Sequence, residues 1–422
     1  MKIVHIGTAD SSGGAARAAF ELHNALLRLG HESRMLVGQQ FETRPEINRI
    51  GFSRSMAGRL LNRLVLEVET RTGLQYLIQP KRRDFLSHRF VRDADVIHLH
   101  NLHGNFFSHT ILPRLSVLAP LVWTLHDAWS LTGHCSYSYD CDRWRTGCGK
   151  CPDLDEYPRI GVDTTAFLWR VKRRVYARSD IRLAAPSKWL AAMARESPLF
   201  SGSEVHHIPY GVNTGAWRPM DQRLGREVLG IPHGAQVVMV IALPGAKRKG
   251  LDYLASALGR LGEDVSPWIL AVGGRGVLRG IPARFPVKEV GYVESPEFMN
   301  LCYASADLYV LPTLADNLPL TLLESLAAGT PAVAFDIGGV PDVIRHEETG
   351  YLARYRDPED LARGIHSVLA GEAMRLQMRR RCREVAVREY ASEVQVNRYL
   401  EVFELAVKAR RRASEAGPGR LS

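Results

Sequence analysis

The stretch LADNLPLTLLESLAAGTPAVA, residues 314–334, places two acidic residues around a proline and a short apolar run. Asp316 precedes the proline, whereas Glu324 lies within the run that ends at Gly329. Proline favours the first turn of a helix and glycine its end, so a helix is predicted to begin near Pro319. The unpaired N–H groups of a first turn, together with the helix dipole, bind anions such as a diphosphate. The stretch therefore predicts an anion site with one carboxylate upstream and another inside the helix.

Apolar, strand-like runs alternate with helical segments along the rest of the chain. In the first half the runs are KIVHIG, SRMLVG, ADVIHLH, PLVWTLHD and RLAAPS, and in the second half they are QVVMVIAL, WILAVGG, VKEVGYV, DLYVLPT and TPAVAFD. Strands that alternate with helices form parallel sheets covered on both faces, and ligands bind at the carboxyl ends of the strands. We therefore predict an α/β protein of two Rossmann-like doubly wound domains that face a central cleft.

The length of 422 residues is too great for a single hydrophobic core. The segment VHHIPYGVNTGAWRPMD separates the two sets of strands and marks the link between the domains. The predicted organisation is a first domain at residues 1–214 with a cysteine-rich insertion at 129–158, a second domain at 215–388, a helix at 389–410 that packs back on the first domain, and a disordered tail at 411–422.

The composition describes an ordinary globular protein with a basic excess. Hydrophobic residues make up 45% of the chain and charged residues 24%, and the formal net charge is +10. No apolar run approaches the roughly 20 residues that span a bilayer, and the N-terminus does not have the pattern of a signal peptide. A cytoplasmic location is therefore predicted. The charge indicates an anionic partner such as a phosphate, an acidic glycan, a nucleic acid or an anionic lipid.

Five motifs, in this order, resemble those of a known enzyme family. They are GGAARAA near the start, TLHD at 124–127, IPYGVNTGAWRP at 208–219, KRKGLD at 247–252, and the stretch from Asp316 to Glu324. Together they resemble retaining GT-B glycosyltransferases with an E-x7-E signature, of the group 1 or family 4 type. The cysteine-rich segment after TLHDAWSLTGHC further resembles enzymes of bacterial exopolysaccharide assembly.

The resemblance implies sugar transfer, with the two substrates bound by different domains. The first domain is expected to bind the acceptor, a glycan or lipid-linked saccharide, and the second domain the donor, a nucleotide diphosphate sugar. The anomeric configuration of the sugar is expected to be retained. The resemblance also implies no metal cofactor for catalysis, because the cationic loop and the helix N-terminus neutralise the diphosphate.

The donor site implied by the resemblance centres on Lys249, which holds the diphosphate and stabilises the charge of the departing group. The family places an arginine where this chain has Leu243, and Lys247 or Arg248 is expected to compensate. Glu324 is expected to accept the ribose hydroxyls; the alternative for it is a surface acid. The residues expected to bind the nucleotide sugar are Gly13, Gly14, Arg248, Lys249, Leu318, Pro319, Leu320, Thr321 and Glu324.

Three residues are expected to serve catalysis: His126, Asp316 and Lys249. His126 ends an apolar strand, and the family places this histidine beside the donor sugar, where Asp127 is available to orient it. Asp316 is expected to bind sugar hydroxyls. The alternatives are a satisfied core histidine for His126, a helix cap for Asp316 and a solvated basic loop around Lys249.

The segment HLHNLHGNFFSH has two interpretations. In the favoured one, His100, Asn101 and His103 donate hydrogen bonds to the hydroxyls of the acceptor. In the alternative, His98, His100, His103 and His109 bind zinc, since residues 98 and 100 point the same way along a strand.

Four of the six cysteines form a cluster, and their C-x5-C-x6-C-x2-C spacing favours a structural zinc ion held by thiolates. The ligands are expected to be Cys135, Cys141, Cys148 and Cys151. An iron–sulfur cluster or a redox pair is the alternative.

A basic amphipathic segment in the first domain predicts either docking on an anionic membrane surface or an ordinary solvated face. Its cations are Arg54, Arg59, Arg63, Arg71, Lys81, Arg82 and Arg83. Nucleic-acid binding is not expected, because no basic motif is interleaved with aromatic residues.

Two further functions remain open from the sequence: a nucleotide-sugar epimerase or hydrolase on the same scaffold, and a zinc-knuckle binding protein without activity. The intact set of Lys249, Asp316 and Glu324 argues against the inactive binding protein.

Overall fold

The structure is a computed structural model that describes residues 1–51, 55–78, 82–242 and 247–415. The chain forms two compact units, Met1–Pro209 with Gln395–Ser422 and, separately, Tyr210–Val394. Each unit is a parallel sheet with helices packed on it, which confirms the predicted fold class. Within the described residues, no helix combines the length and the apolar character needed to cross a bilayer.

The strands and helices alternate along the chain. The strands are β1 (Lys2–Ala9), β2 (Glu32–Gln39), β3 (Ile47–Arg49), β4 (Val96–Leu99), β5 (Leu121–Thr124), β6 (Ile181–Ala185), β7 (Val205–His207), β8 (Val237–Ala242), β9 (Trp268–Gly273), β10 (Val287–Gly291), β11 (Leu308–Leu311), β12 (Ala332–Phe335) and β13 (Gly350–Ala353). The helices are α1 (Gly14–Arg28), α2 (Met56–Thr72), α3 (Arg82–Ser87), α4 (Arg89–Arg92), α5 (Leu112–Leu118), α6 (Thr165–Tyr176), α7 (Lys188–Glu196), α8 (Gln222–Leu229), α9 (Leu251–Leu258), α10 (Pro296–Ser305), α11 (Leu320–Ala327), α12 (Val340–Val343), α13 (Pro358–Ala370), α14 (Glu372–Glu389) and α15 (Ser392–Glu415).

Each sheet has a switch point near its centre. The strand order of the first unit is β3-β2-β1-β4-β5-β6-β7, and that of the second is β10-β9-β8-β11-β12-β13. The winding direction therefore reverses between β1 and β4 in the first unit, and between β8 and β11 in the second. Ligands of doubly wound sheets bind beyond the carboxyl ends of the strands at such points. A ligand-binding site is therefore expected in the loops that follow these four strands.

Neighbouring residues of the first sheet point to opposite faces, as the pleat of a strand requires. Val4 packs into the larger core on one face, whereas Ile3 packs with Val96 and Val122 on the other. Helix α15 covers this second face, so two hydrophobic layers enclose the sheet.

Helix α15 belongs to the first unit although it follows the second in sequence. Its apolar residues Val396, Tyr399, Phe403 and Ala406 are fully or almost fully buried and recur at helical spacing. They pack on the face that carries Ile3. The predicted return of the C-terminal helix to the first domain is thereby confirmed.

The boundaries differ from the predicted ones by several residues. The units divide after residue 209 rather than 214, and again after 394 rather than 388. Helix α15 begins at Ser392 instead of 389, because Tyr390 accepts a hydrogen bond from the N–H of Val212 and ends the preceding helix. Residues 411–415 are helical, not part of a disordered tail, and the rest of the predicted tail lies outside the described residues.

Candidate active site

The loop after β11 carries Asp316, and two cations from the loop after β8 contact its carboxylate. The Asp316 Oδ2 atom accepts hydrogen bonds from Arg248 Nη1 at 2.9 Å and from Lys249 Nζ at 3.0 Å. Thr313 lies at the edge of this group, with its Oγ1 atom 3.5 Å from the same oxygen. The strand order brings these residues together, because β8 and β11 are neighbours in the sheet. We call Arg248, Lys249 and Asp316 the ion triad.

A close backbone approach fixes the position of the ion triad. Gly250 follows Lys249 with a φ of +64°, and a Cβ atom at this position would lie 1.9 Å from the carbonyl oxygen of Pro312. The N–H of Leu314 donates to the carbonyl oxygen of Arg248 at 2.8 Å. Only glycine fits between the two loops, so their separation is set by backbone contacts rather than by the flexible side chains.

The charges of the ion triad do not cancel. Burial disfavours the ionised form of Asp316, but Lys249 and Arg248 outweigh this effect and lower its pKa. Asp316 is therefore a carboxylate at neutral pH, and the triad keeps one net positive charge. A partly buried surplus of positive charge, held in fixed geometry, suits an anionic ligand.

Helix α11 begins directly after the ion triad. Pro319 occupies the N-cap position, and no side chain caps the helix. The alternative that Asp316 is the helix cap is therefore wrong. Leu318 and Pro319 are buried just before the helix, whereas Leu320 and Thr321 form the start of its first turn.

Glu324 lies one turn further along α11 and is almost completely buried, with 4% of its surface exposed. Its Oε2 atom accepts a hydrogen bond from the Tyr303 hydroxyl at 3.2 Å. The alternative of a surface acid is therefore wrong. A carboxylate buried at this depth needs hydrogen-bond donors around it. This agrees with the expectation that Glu324 accepts hydrogen bonds from hydroxyl groups.

The glycine loop after β1 leads into helix α1. Gly13 has a φ of +91° and is the N-cap of this helix, which has no side-chain cap. A Cβ atom at Gly13 or Gly14 would meet nothing within 4 Å. The glycine at 13 is thus required by its backbone conformation, and the exposed first turn of α1 leaves room for a ligand.

His126 follows β5 and is buried, with 8% of its surface exposed. Its Nε2 atom lies 2.9 Å from His100 Nδ1, so one of these imidazoles donates to the other. Burial lowers the pKa of His126 to about 4, against an opposing effect of Asp127. At neutral pH His126 is therefore an uncharged hydrogen-bonding group at the carboxyl end of the sheet.

The carboxylate of Asp127 contacts His103 and the backbone N–H of Trp129. Its Oδ2 atom is 2.8 Å from His103 Nε2, and its Oδ1 atom accepts the N–H of Trp129 at 2.9 Å. Although burial opposes ionisation, His103 lowers the pKa of Asp127. The three residues expected to bind the acceptor thus have different contacts. His100 contacts His126, and His103 contacts Asp127. The backbone carbonyl oxygen of Asn101 accepts a hydrogen bond from the Thr8 hydroxyl at 3.0 Å.

The alternative in which four histidines bind zinc is wrong about two of its residues, His103 and His109. Within the described residues, the histidines close enough to share a metal ion are His98 and His100 with His5, which the sequence reading did not single out. His103 is engaged by Asp127, and His109 packs edge-on against Trp129 at 5.9 Å between ring centroids.

The four clustered cysteines line one small pocket, together with His134. Cys148 Sγ accepts the N–H of Gly133 at 3.2 Å, and His134 Nε2 lies 3.3 Å from Cys151 Sγ. Among the described residues, no three of these sulfurs lie within 4.8 Å of one another. The cysteine zinc site therefore stays a prediction.

Several predicted residues fall outside the described part of the chain. These are Arg54, Lys81 and Leu243, together with the side chains of Arg82, Arg83 and Lys247. The expected compensation for Leu243 by Arg248 stays a prediction, although the Arg248 side chain does lie in the ion triad.

Two family descriptions match the chain, one in each unit. "Glycosyltransferase Family 4" matches residues 12–216, and "Glycosyl transferases group 1" matches residues 234–371. The chain belongs to the GT-B glycosyltransferases of this type. The prediction of a glycosyltransferase is thereby confirmed, whereas the retaining mechanism stays a prediction.

The fold of this glycosyltransferase matches those of solved structures over nearly the whole chain. Sucrose-phosphate synthase from Thermosynechococcus elongatus has a TM-score of 0.69 and 17% identity, over 97% of this chain and 100% of that one. Anabaena HepE in complex with UDP has a TM-score of 0.65 and 15% identity, over 96% of this chain and 100% of that one. The same protein has also been solved in complex with UDP-glucose.

A curated relative also spans most of this glycosyltransferase. WcaC of Escherichia coli K12, described as a colanic acid biosynthesis glycosyl transferase, is 24% identical over 408 residues, which is 88% of this chain and 94% of that protein. No comparison supports an epimerase, a hydrolase or an inactive zinc-binding protein.

Proposed function

We propose that this glycosyltransferase moves a sugar from a nucleotide diphosphate sugar to a glycan or lipid-linked saccharide, with retention of anomeric configuration. The observation that carries the proposal is the ion triad beside the uncapped start of α11. Lys249 and Arg248 form its cationic side and Asp316 its acidic side.

The second unit supports donor binding. The surplus positive charge of the triad and the N–H groups at the start of α11 attract the diphosphate. Glu324, buried on the same helix, is proposed to accept the ribose hydroxyls. Because Asp316 anchors both cations before the donor arrives, little reorganisation is needed when negative charge develops on the leaving group.

The proposed reaction proceeds on one face of the sugar. The bond from the anomeric carbon to the diphosphate oxygen breaks, and a bond to the acceptor oxygen forms on the same face. The proton of the acceptor hydroxyl passes to the departing phosphate oxygen. Neutral His126 is proposed to hydrogen-bond a sugar hydroxyl, and Asp316 to bind another. Asn101 and His103 are proposed to contact the acceptor, and His100 to hold His126 in place through the hydrogen bond between their imidazoles.

The proposed biological role is the synthesis of exopolysaccharide or another cell-surface glycan. WcaC, described as acting in colanic acid biosynthesis, supports this role because the two proteins match over most of both chains. The UDP-glucose complex of Anabaena HepE supports a sugar nucleotide as the donor class.

The four cysteines are proposed to hold a structural zinc ion. All four line one pocket, and the turn that carries two of them has positive φ at Gly147, Cys148, Gly149 and Lys150. Outside this turn, the N–H of Gly133 donates to Cys148 Sγ at 3.2 Å. Zinc would link the turn to the segment around Cys135 without taking part in the reaction.

A panel of UDP-, GDP- and TDP-sugars tests the proposed function. We expect sugars of one base to raise the melting temperature by several degrees, since a ligand at 100 times its Kd adds about 2.7 kcal/mol of stability. NMR of the product made with that donor and an oligosaccharide acceptor is expected to show an unchanged anomeric configuration.

The same donor incubated without acceptor separates transfer from the alternatives. Fast and complete hydrolysis, or release of an epimerised nucleotide sugar, would contradict transfer as the main activity. An inverted product would contradict the retaining mechanism while leaving the donor assignment in place.

Helix α2 is proposed to dock this enzyme on an anionic membrane surface. Met56, Leu60, Leu64 and Val68 are 79%, 58%, 55% and 47% exposed, respectively. Their spacing of four residues places them in one stripe on the helix surface. A second stripe beside it carries the exposed cations Arg59, Arg63 and Arg71, and Glu67 on the same stripe pairs with Arg71 at 2.6 Å. Adjacent apolar and basic stripes match the acyl and headgroup layers of an anionic leaflet.

The change Leu64→Asp tests this docking. We expect the partition coefficient on phosphatidylglycerol vesicles to fall roughly tenfold or more, because an apolar anchor is replaced by a charge that the lipid repels. Vesicle co-sedimentation measures it, with Leu224→Asp as the control, since Leu224 on α8 has a similar exposure of 51%. Equal loss in both variants, or wild-type binding to neutral vesicles alone, would contradict the proposal.

A further inference from the structure

Three histidines of the first unit converge on one point inside the protein. His5 on β1 is the direct register partner of His98 on β4, and His100 directly follows the end of that strand, where its N–H donates to the carbonyl oxygen of Ile6 at 2.9 Å. Their ring centroids are 5.0 Å (His5–His98), 5.3 Å (His5–His100) and 4.2 Å (His98–His100) apart. His5 and His98 are completely buried, and His100 is 3% exposed. We call these three residues the histidine cluster.

One ring nitrogen of each histidine faces the centre of the cluster. These three nitrogen atoms lie within 4.8 Å of one another. The inner nitrogens of His5 and His100, Nδ1 and Nε2, are 3.0 Å apart. Ligand nitrogens of a tetrahedral zinc ion lie roughly 3.3 Å apart, given Zn–N bonds of about 2.0–2.1 Å. The spacing therefore matches a metal site after small side-chain shifts.

The outer nitrogen of each histidine has a hydrogen-bond partner. His5 Nε2 is 3.1 Å from Ser33 Oγ, His98 Nε2 is 2.7 Å from Thr124 Oγ1, and His100 Nδ1 is 2.9 Å from His126 Nε2. If each outer nitrogen carries the proton, all three inner nitrogens present lone pairs at once. Imidazole ligands of metals ordinarily have such a second partner, which fixes the tautomer and the ring orientation.

A cluster held together by hydrogen bonds alone, without a metal ion, leaves one buried ring nitrogen unexplained. His5 and His100 can share one proton, but His98 Nδ1 is buried and has no hydrogen-bond partner in the structure. A buried polar atom without a partner costs about 1–3 kcal/mol.

We propose that His5, His98 and His100 bind one divalent transition-metal ion, with zinc as the first candidate. Imidazole ligands suit zinc, whereas magnesium and calcium require oxygen ligands. Three neutral ligands leave the charge of the ion uncompensated, so the fourth position is expected to hold a hydroxide or another small anion. The ring of Tyr399 on α15 lies 4.9 Å from that of His98 and closes the site from that side.

The bound ion would set the proton position on His126. Metal coordination through Nε2 leaves His100 with its proton on Nδ1, which then donates to His126 Nε2. His126 would then carry its own proton on Nδ1. The metal site itself does not depend on the proposed function, and its test measures metal content rather than sugar transfer.

The test compares three full-length proteins that are purified without metal-affinity chromatography: wild type, His98→Gln and the control His109→Gln. His109 is also buried in the first unit, and both of its ring nitrogens lack partners, but it lies outside the cluster. Elemental analysis is expected to show about one equivalent of zinc less in His98→Gln than in the other two. Any zinc at the cysteines is common to all three and cancels in the comparison.

Cobalt substitution identifies the ligands. The cobalt lost with His98→Gln is expected to lack thiolate charge-transfer bands, whereas cobalt at the cysteines shows them. If His98→Gln does not fold, X-ray absorption of zinc-loaded wild type decides. An average of more than one imidazole ring per zinc ion is expected, and an average of one or fewer would contradict the proposal, since His134 is the histidine that lines the cysteine pocket among the described residues. A folded His98→Gln with wild-type metal content, or a wild type whose zinc has only sulfur neighbours, would overturn the proposal.

Discussion

Lys249→Ala is expected to lower kcat roughly 10²- to 10³-fold, the usual loss when one fixed charge is removed from a group that stabilises a leaving anion. The change also leaves Asp316 with Arg248 as its only cation in the ion triad. The net charge of the triad then falls from positive to neutral, and attraction for the diphosphate weakens. Steady-state kinetics with the donor found in the nucleotide panel measure the loss.

The control for this experiment is Lys288→Ala, which removes a half-buried lysine of the same unit from β10. It is expected to retain wild-type activity. Lys249→Arg keeps the positive charge but replaces the compact ammonium group with a planar guanidinium group, so partial activity is expected. A folded Lys249→Ala enzyme with undiminished kcat would mean that the ion triad does not contact the leaving group.

Glu324→Gln is expected to weaken binding of the nucleoside diphosphate roughly ten- to hundredfold. Hydrogen bonds to a charged group contribute about 1.5–3 kcal/mol, and each 1.4 kcal/mol is a factor of ten in Kd. The amide keeps the size of the buried side chain, so the change in affinity reports the lost charge. Isothermal titration measures Kd for the ribonucleotide and for its 2′-deoxy analogue.

The pair of ligands turns this experiment into a double-mutant cycle. Wild type is expected to discriminate strongly against the deoxy analogue, and Glu324→Gln much less. Tyr303→Phe is the structural control, because it removes the hydrogen bond from the Tyr303 hydroxyl to Glu324 and keeps the carboxylate. If Glu324→Gln and wild type discriminated equally, Glu324 would not bind the ribose.

The donor half of the site could be predicted because its parts lie close together in sequence. Strand β11, a loop with Asp316, a proline and helix α11 with Glu324 follow one another between residues 308 and 327, and local rules fix their order. The ion triad could not be predicted in this way. Its contacts depend on β8 lying beside β11, and the order of strands in a sheet is a long-range property.

The first unit shows the same limit. His98 and His100 attracted attention because they alternate along one strand, but the third member of the cluster, His5, lies more than 90 residues away in KIVHIG. The only signal for His5 was a polar residue within an apolar strand of a sheet buried on both faces. Asp127 was expected to orient its neighbour His126, yet the loop geometry turns its carboxylate toward His103 instead.

The placement of helix α15 in the first unit has a consequence for biosynthesis. During translation the second unit is complete once residue 394 has emerged, whereas the first still lacks the helix that covers one face of its sheet. Ribosome-bound chains would therefore expose the apolar side chains around Ile3, and leave the histidines beneath Tyr399 open to the surrounding solution. Uptake of an ion by these histidines and closure of the sheet would then both follow the synthesis of the second unit.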